Sequence, residues 1–482
     1  MTEKKYRVEH DSLGERNIPS DMYYGTQTAR AIENFPITDI PISHYRNFIK
    51  ALGAIKQAAA MANFELGLID KKKSEAIIAA SEEVKEGKLD KHFPVDVIQG
   101  GAGTSANMNA NEVIANRALE ILGKEKGLNP ILHPNNHVNL CQSTNDVYPT
   151  AGKLAIIWKF QDLIPAIKDL QEAFYKKAEE FKNILKIGRT QLQEAVPMTL
   201  GQEFRAFGIT IGEDIYALQE RLKEFHEINM GATAIGTGIN TIPGYEKVIC
   251  KHLIRVTGLS LFSATDLVEA TSDTGGFVSV SSILRRIAVK LTKTANDLRL
   301  LSSGPIAGIN EIHLPEVQPG SSIMPGKINP VIPEVVNQVC FRIIGNDTVV
   351  SLAASAGQMQ LNAFEPIIFL SIFESIDTLK RACIVLKKHC IEGIKAKKEV
   401  CDRNVMNSPG LLTAFSPYIG YEAAAKIAKE VEKNTNKTVF ELIKKSKLLT
   451  DNEINQILSP ENMTQPQHLL DIGVRKKQSK KQ

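Results

Sequence analysis

Four short stretches of this 482-residue chain carry side chains that could do chemistry on an anion. The densest is Gly320-Ser321-Ser322-Ile323-Met324-Pro325-Gly326-Lys327-Ile328-Asn329-Pro330. Pro325 and Pro330 lack a backbone donor, and Gly320 and Gly326 accept dihedrals that other residues resist, so the stretch is a loop and not a regular element. It concentrates two hydroxyls, an ammonium and a carboxamide, all able to donate hydrogen bonds, which is the inventory that carboxylate recognition needs. Two glycines also suit a loop that opens and closes. Gly, Pro, Ser and Asn equally describe an ordinary surface turn, and composition alone leaves both readings open.

The second stretch, Gly100-Gly101-Ala102-Gly103-Thr104-Ser105-Ala106-Asn107-Met108-Asn109, has neither the Rossmann glycine spacing nor the Gly-Lys-Ser/Thr of a P-loop. It precedes a helical pattern over 111–122, so it reads either as a helix N-terminus whose N–H groups hold an anion or as a plain capped start. Residues 133–150 are rich in short polar side chains and include a third donor cluster, Ser143-Thr144-Asn145. His133 and His137 are spaced i,i+4, but Pro134 argues against a helix and no third ligand is near, so no metal site is assigned. The fourth stretch is Gly188-Arg189-Thr190-Gln191-Leu192-Gln193. A further small-residue segment runs from Gly231 to Gly238.

The elements that must position these stretches are long helices. Apolar residues recur at a 3.6-residue period from Leu154 to Phe181, Leu200 to Phe225, Ile283 to Leu301, Val331 to about Ala354, and Phe369 to Ile394. Pro165 is expected to kink or restart the first of these. Helices of roughly 25–30 residues span about 40 Å, so the architecture is mainly α and built on a large bundle. Before them come polar, turn-rich residues 1–42, a helix over about 43–66 and another over about 73–86. After about residue 398 the elements shorten, with helices near 420–432, 437–445 and 451–458. Three domains are expected: a mixed, mainly helical N-terminal domain (1–142), a central long-helix domain with the Ser321 loop (143–398), and a small helical C-terminal domain with a basic tail (399–482).

Apolar residues make up 43% of the chain and charged ones 23%, as in ordinary globular proteins. The net charge of +4 is concentrated at one end: setting aside Arg475, Lys476, Lys477, Lys480 and Lys481 leaves the rest at −1. That is no nucleic-acid footprint, and the tail reads as a solvated end. Residues 1–20 hold no apolar run of a signal peptide, and no stretch is long enough to span a bilayer, so a cytoplasmic protein is expected. Six cysteines without a CxxC pair read as reduced and buried.

Taken together, the four stretches resemble the aspartase/fumarase superfamily. Residues 320–330 fit its signature Gly-Ser-Ser-x-Met-Pro-x-Lys-x-Asn-Pro, and the segments at 101–109, 143–145 and 188–193 match its other active-site segments in order, with similarity extending from about residue 9 to 458. Within the superfamily the chain is most similar to the aspartase branch. Class II fumarases carry histidine after Gly-Arg-Thr where this chain has Gln191, although some aspartases do too, and Cys141-Gln142-Ser143-Thr144-Asn145 has the aspartase form. The resemblance implies a three-domain subunit, a twenty-helix core in a homotetramer, and active sites each shared by three subunits. It implies reversible deamination of L-aspartate to fumarate and ammonium by anti-elimination through an aci-carboxylate, with no required cofactor and with room for activation by Mg2+. Carried over residue by residue, Thr104, Ser143, Thr144 and Ser322 bind the β-carboxylate, and Lys327 and Asn329 hold the α-carboxylate. Asn145, Thr190 and Gln191 contact the amino group, and Ser321 is the base. No general acid is identified. The alternatives are a class II fumarase acting on malate, or a non-catalytic helical tetramer.

Overall fold

A computed structural model describes residues 5–433, 437–464 and 466. Five long helices dominate it: Thr144–Glu180, Leu200–Leu222, Gly275–Leu301, Val331–Ser355 and Glu365–His389, of 37, 23, 27, 25 and 25 residues. The first exceeds the expected length because neither Pro149 nor Pro165 interrupts it. A proline removes one backbone hydrogen bond, at a cost of about 3 kcal/mol. Here the same helix buries Leu154, Phe160, Leu163, Ile167, Leu170 and Phe174 completely. Each such side chain contributes about 1.5–3 kcal/mol, so burial outweighs the lost bond.

The chain divides into two compact units, and the division falls inside the long helices. One unit comprises the described residues up to Pro165 together with Asp214–Val289 and Val339–Lys380. Its N-terminal part begins with a hairpin, Tyr6–Asp11 with Gly14–Pro19, in the segment expected to be polar and turn-rich. Helix Arg46–Glu65 follows, lined by the buried residues Ala51, Ala54, Ala58, Ala59 and Ala62. Helix Lys71–Glu86 is capped by Asp70, which accepts the Lys73 N–H at 3.0 Å, and ended by left-handed Gly87. Helix Thr104–Ile121 starts seven residues earlier than the apolar period suggested, because its first turns bury Asn107, Asn109 and Asn111 between Ala106, Met108 and Ala110, which hides the helical period. An aromatic seam runs through Phe48, Tyr148, Phe369 and Phe373, with Tyr148 and Phe369 stacked at 5.2 Å.

The other unit comprises Ala166–Glu213, Lys290–Gln338 and the described residues from Arg381 onward. Phe174, Phe181, Phe204 and Phe207 pack edge-on and tilted in it. Its antiparallel hairpin, Leu185–Thr190 with Gln193–Thr199, is bulged between Ile187 and Arg189. The last described residues form short helices around a core of Val405, Leu411, Phe415, Val439, Leu442, Ile443, Ile454 and Ile457, joined by Ile187 of the hairpin. Helices Val439–Ser446 and Asp451–Ile457 begin with full capping boxes, Thr438 with Glu441 and Thr450 with Glu453. Helix Tyr421–Lys433 matches its expected position. Helices Lys398–Asn407 and Leu412–Ile419 had no sequence counterpart. The basic tail lies outside the described residues.

Candidate active site

The loop at 320–329 is closed by its own backbone. Gly320 N donates to Lys327 O at 2.9 Å, and Asn329 Nδ2 donates to Gly320 O at 2.7 Å. A Cβ on Gly320 would fall 2.3 Å from the Lys327 carbonyl oxygen, so only glycine permits this closure. Inside the ring, Ser321 Oγ accepts the N–H groups of Ile323 at 3.2 Å and Met324 at 3.0 Å. Two amide donors aimed at one hydroxyl oxygen favour its ionised form, which is what a serine base requires. Ser321 is half-buried, whereas Ser322, Ile323, Met324 and Lys327 stand in solvent. Asn329 spends one amide hydrogen on the clamp and keeps the other.

In the same unit, Thr190 and Gln191 occupy the exposed tip of the bulged hairpin. Thr190 pairs with Gln193, leaving Gln191 and Leu192 as a two-residue turn with φ of 54° and 63°. Positive φ at both positions belongs to a type I′ turn, usually made by Asn-Gly. Below the tip lies a buried ionic cluster that the sequence did not announce. Glu311, fully buried, sits 2.9 Å from Arg189 Nη1 and 3.0 Å from Lys186 Nζ, and Lys186 also meets Glu203 at 2.6 Å. Asn404 Nδ2 donates to Glu311 Oε1 at 3.3 Å. No hydrogen bond joins Thr190 or Gln191 to the Ser321 loop among the described residues.

Thr104, Ser143, Thr144 and Asn145 lie in the other unit, at the N-termini of two helices, Thr104–Ile121 and Thr144–Glu180. Both helix dipoles therefore present their positive ends beside these residues. Gly103 has φ of +89°, and a Cβ there would lie 2.3 Å from the Tyr148 ring, so glycine brings the two helix starts together. Thr104 Oγ1 donates to Gly101 O at 2.7 Å. Thr144 Oγ1 accepts from Asn107 Nδ2 at 3.1 Å, which leaves its own hydrogen available to an anion.

Beneath this pair is a polar network absent from the sequence reading. Lys56, fully buried, donates to Asn139 Oδ1 and Gln142 Oε1, both at 2.9 Å, and Asn107 and Asn111 also donate to Asn139 Oδ1 at 3.2 Å. Burial pulls the Lys56 ammonium down to about 7, partly offset by the Asp146 charge, and pushes the Asp146 carboxyl up to about 7, partly offset by the backbone N–H groups of Ser143, Thr233 and Gly231 and then by the Lys56 charge. A lysine interrupting an alanine-rich apolar run, and three asparagines at alternate positions 107, 109 and 111, were the available signals. His133 and His137 are engaged with each other's turn: Pro134–Val138 forms a π-helical turn with proline first, where no N–H is needed, and His133 N donates to His137 Nδ1 at 2.8 Å. Among the described residues no group of three His, Cys, Asp or Glu side chains is placed to hold a metal ion, and no helix is long and apolar enough to cross a membrane.

A family model described as Lyase matches residues 14–345, and one described as Fumarase C C-terminus matches 411–465. The aspartate ammonia-lyase of Helicobacter pylori is 52% identical over 460 residues, covering 95% of this chain and 98% of that protein. A fumarate lyase:delta crystallin from Brucella melitensis, solved bound to cobalt, superposes with a TM-score of 0.93 at 51% identity, covering 96% of this chain and 100% of that one. A class II fumarase from Schistosoma mansoni does so with a TM-score of 0.89 at 34% identity, over the same 96% and 100%. Lyases of this kind generally work without a cofactor. Likeness at this level over nearly the whole chain, with the Ser321 loop and both helix-start threonines in place, makes the chain a member of the aspartase/fumarase superfamily of lyases.

Proposed function

We propose that the protein deaminates L-aspartate reversibly to fumarate and ammonium. Removing a proton from the carbon beside the β-carboxylate puts a second negative charge on that group, and stabilising this aci-carboxylate is the main demand on the site. Preorganised donors supply about 3–4 kcal/mol each. Thr104, Ser143, Thr144 and Ser322 are the donors for the β-carboxylate, with the two helix N-termini behind the first three. Lys327 and Asn329 hold the α-carboxylate, and Asn145, Thr190 and Gln191 meet the amino group. Ser321 takes the proton. The observation that carries this mechanism is the Ser321 hydroxyl oxygen, which already accepts two backbone N–H groups and so needs little rearrangement to bear charge.

The substrate follows from Gln191 at the hairpin tip and from the 52% identity to an aspartate ammonia-lyase. The subunits assemble as a homotetramer whose sites draw segments from three chains. Supporting this, the long helices expose large apolar side chains, with Tyr216, Phe341 and Leu352 at 70%, 58% and 66%, that a lone chain leaves in water. The domains are 1–142, 143–398 and 399–482, the last supported by a hydrophobic cluster whose buried members, Ile187 apart, all come from it. The site needs no cofactor, Mg2+ acts at most as an activator, and the compartment is the cytoplasm.

The test is to follow fumarate by ultraviolet absorbance with L-aspartate or L-malate in parallel. L-Aspartate is expected to be favoured at least a hundredfold in kcat/KM, about 2.7 kcal/mol. Equal efficiencies, or a preference for malate, would overturn the assignment in favour of a fumarase.

A further inference from the structure

Asn145 is held at three points. Its backbone N donates to Ser143 Oγ at 3.2 Å, its carbonyl accepts from Asn229 Nδ2 at 3.0 Å, and its side-chain Nδ2 donates to Ala234 O at 2.7 Å. A backbone carbonyl can only accept, so the Asn145 nitrogen must face Ala234 and the amide orientation is fixed. The side-chain oxygen, Oδ1, takes no hydrogen bond within the described residues. The segment carrying Ala234 is in turn latched to the start of the Thr144–Glu180 helix by Asp146. This fully buried carboxylate accepts Ser143 N on Oδ1 at 3.0 Å, and Gly231 N and Thr233 N on Oδ2 at 3.2 and 3.0 Å. Thr233 holds a left-handed φ of 58°, a conformation that a threonine keeps only when its surroundings impose it.

We infer that Asp146 and the 229–234 segment are positioning residues that orient the Asn145 carboxamide with its oxygen outward, and that this orientation makes Asn145 select a protonated amine. The inference rests on the proposed deaminase function, and it concerns how the same site tells one ligand from another. An ammonium offers only donors, so it needs an acceptor. The reversed amide would face –NH3+ with its own N–H groups and repel it. The latch therefore converts a residue that could donate or accept into one that accepts, and the ligand's carboxylates gain nothing from it.

The test compares the KM for L-aspartate with the inhibition constant of succinate, the same dicarboxylate without the amine. Effects on carboxylate binding cancel in the ratio of the two. Asp146→Asn is expected to raise that ratio at least fivefold, and to leave it unchanged when introduced into Asn145→Ala, whose own ratio is already raised. Such non-additivity is what acting through Asn145 means. Circular dichroism and gel filtration check each variant. If Asp146→Asn does not fold, Asn229→Ala, which removes a donor to the Asn145 carbonyl, takes its place in the same cycle. A ratio that stays constant in the folded variants, or that rises equally with and without Asn145, overturns the inference. A wild-type protein that does not deaminate L-aspartate instead refutes the proposed function, and calorimetric binding of L-aspartate and succinate then still measures the ratio.

Discussion

Replacing Glu311 by glutamine changes one oxygen to an amide nitrogen and leaves the shape of the side chain intact. The charge is what it removes. In the wild type this fully buried carboxylate faces Arg189 at 2.9 Å and Lys186 at 3.0 Å. Losing one partner of a buried ion pair costs about 3–5 kcal/mol, because the other charge stays desolvated. Lys186 retains Glu203 at 2.6 Å, and the Arg189 side chain is 18% exposed, so some relief is available and the lower end, about 3 kcal/mol, is expected. The loss falls at the base of the hairpin that carries Thr190 and Gln191. Glu311→Gln should therefore lower the midpoint of thermal inactivation by several degrees, given about 2–4 °C per kcal/mol in domains of 150–250 residues. It should also raise the KM for L-aspartate more than it lowers kcat. Hydrogen exchange would show faster exchange over 185–199 than elsewhere. A variant with wild-type midpoint, KM and exchange would show that the cluster neither stabilises nor positions the hairpin.

Ser321→Ala should abolish nearly all turnover while a dicarboxylate inhibitor binds almost as before, and Lys327→Ala should weaken that inhibitor; near-normal kcat in Ser321→Ala would assign the base elsewhere. Ser143→Ala and Ser321→Ala proteins, each nearly inactive alone, should regain roughly a quarter of wild-type sites when unfolded and refolded together, as random assembly of a shared site predicts. No recovery, with hybrid formation verified by mass spectrometry, would place both serines in one chain's site. The Glu365 carboxyl, fully buried, is pushed up to about 8 from 4.5 by desolvation, against the pull of Lys153. Between those values the folded chain holds a proton that the unfolded chain has released, so this group's contribution to stability falls as pH rises toward and past 8. Glu365→Gln should flatten the loss of thermal stability between pH 6 and 9 and exceed the wild type at pH 9; parallel profiles would refute the assignment.

The long helices were legible because a 3.6-residue apolar period survives any tertiary context, and the Ser321 loop was legible because Pro and Gly exclude regular structure. Pro165 misled because the local rule counts one lost hydrogen bond and not the buried faces on either side of it. The helix at Thr104 began too late in the sequence reading for the opposite reason: its first turns bury asparagines that bond to Asn139 and Thr144, and hydrophobic periodicity does not register a polar core. The hairpin at 185–199 was missed because Gln191-Leu192 is not the residue pair that a two-residue turn prefers. Lys56, Asp146 and Glu311 carry ordinary surface-type side chains, and only their placement reveals that they are buried and shared between segments. Residue identities thus pointed to the donors proposed to meet the substrate, and the structure was needed for the groups packed and bonded around them.

Gln191 sits where the backbone is left-handed, and this limits how the hairpin tip can be re-coded. Among non-glycine residues, asparagine, aspartate and histidine visit that conformation most readily, while valine, isoleucine and threonine are nearly barred from it. Any drift in the identity of this position, by selection or in a directed library, is filtered by torsional cost before it is filtered by chemistry. Glycine and short polar side chains pass that filter most easily, unbranched ones such as Gln191 and its neighbour Leu192 at some cost, and β-branched ones do not. A randomised codon 191 should therefore return folded variants enriched in glycine, asparagine and aspartate and depleted in valine, isoleucine and threonine, even when screened for stability alone with no substrate present.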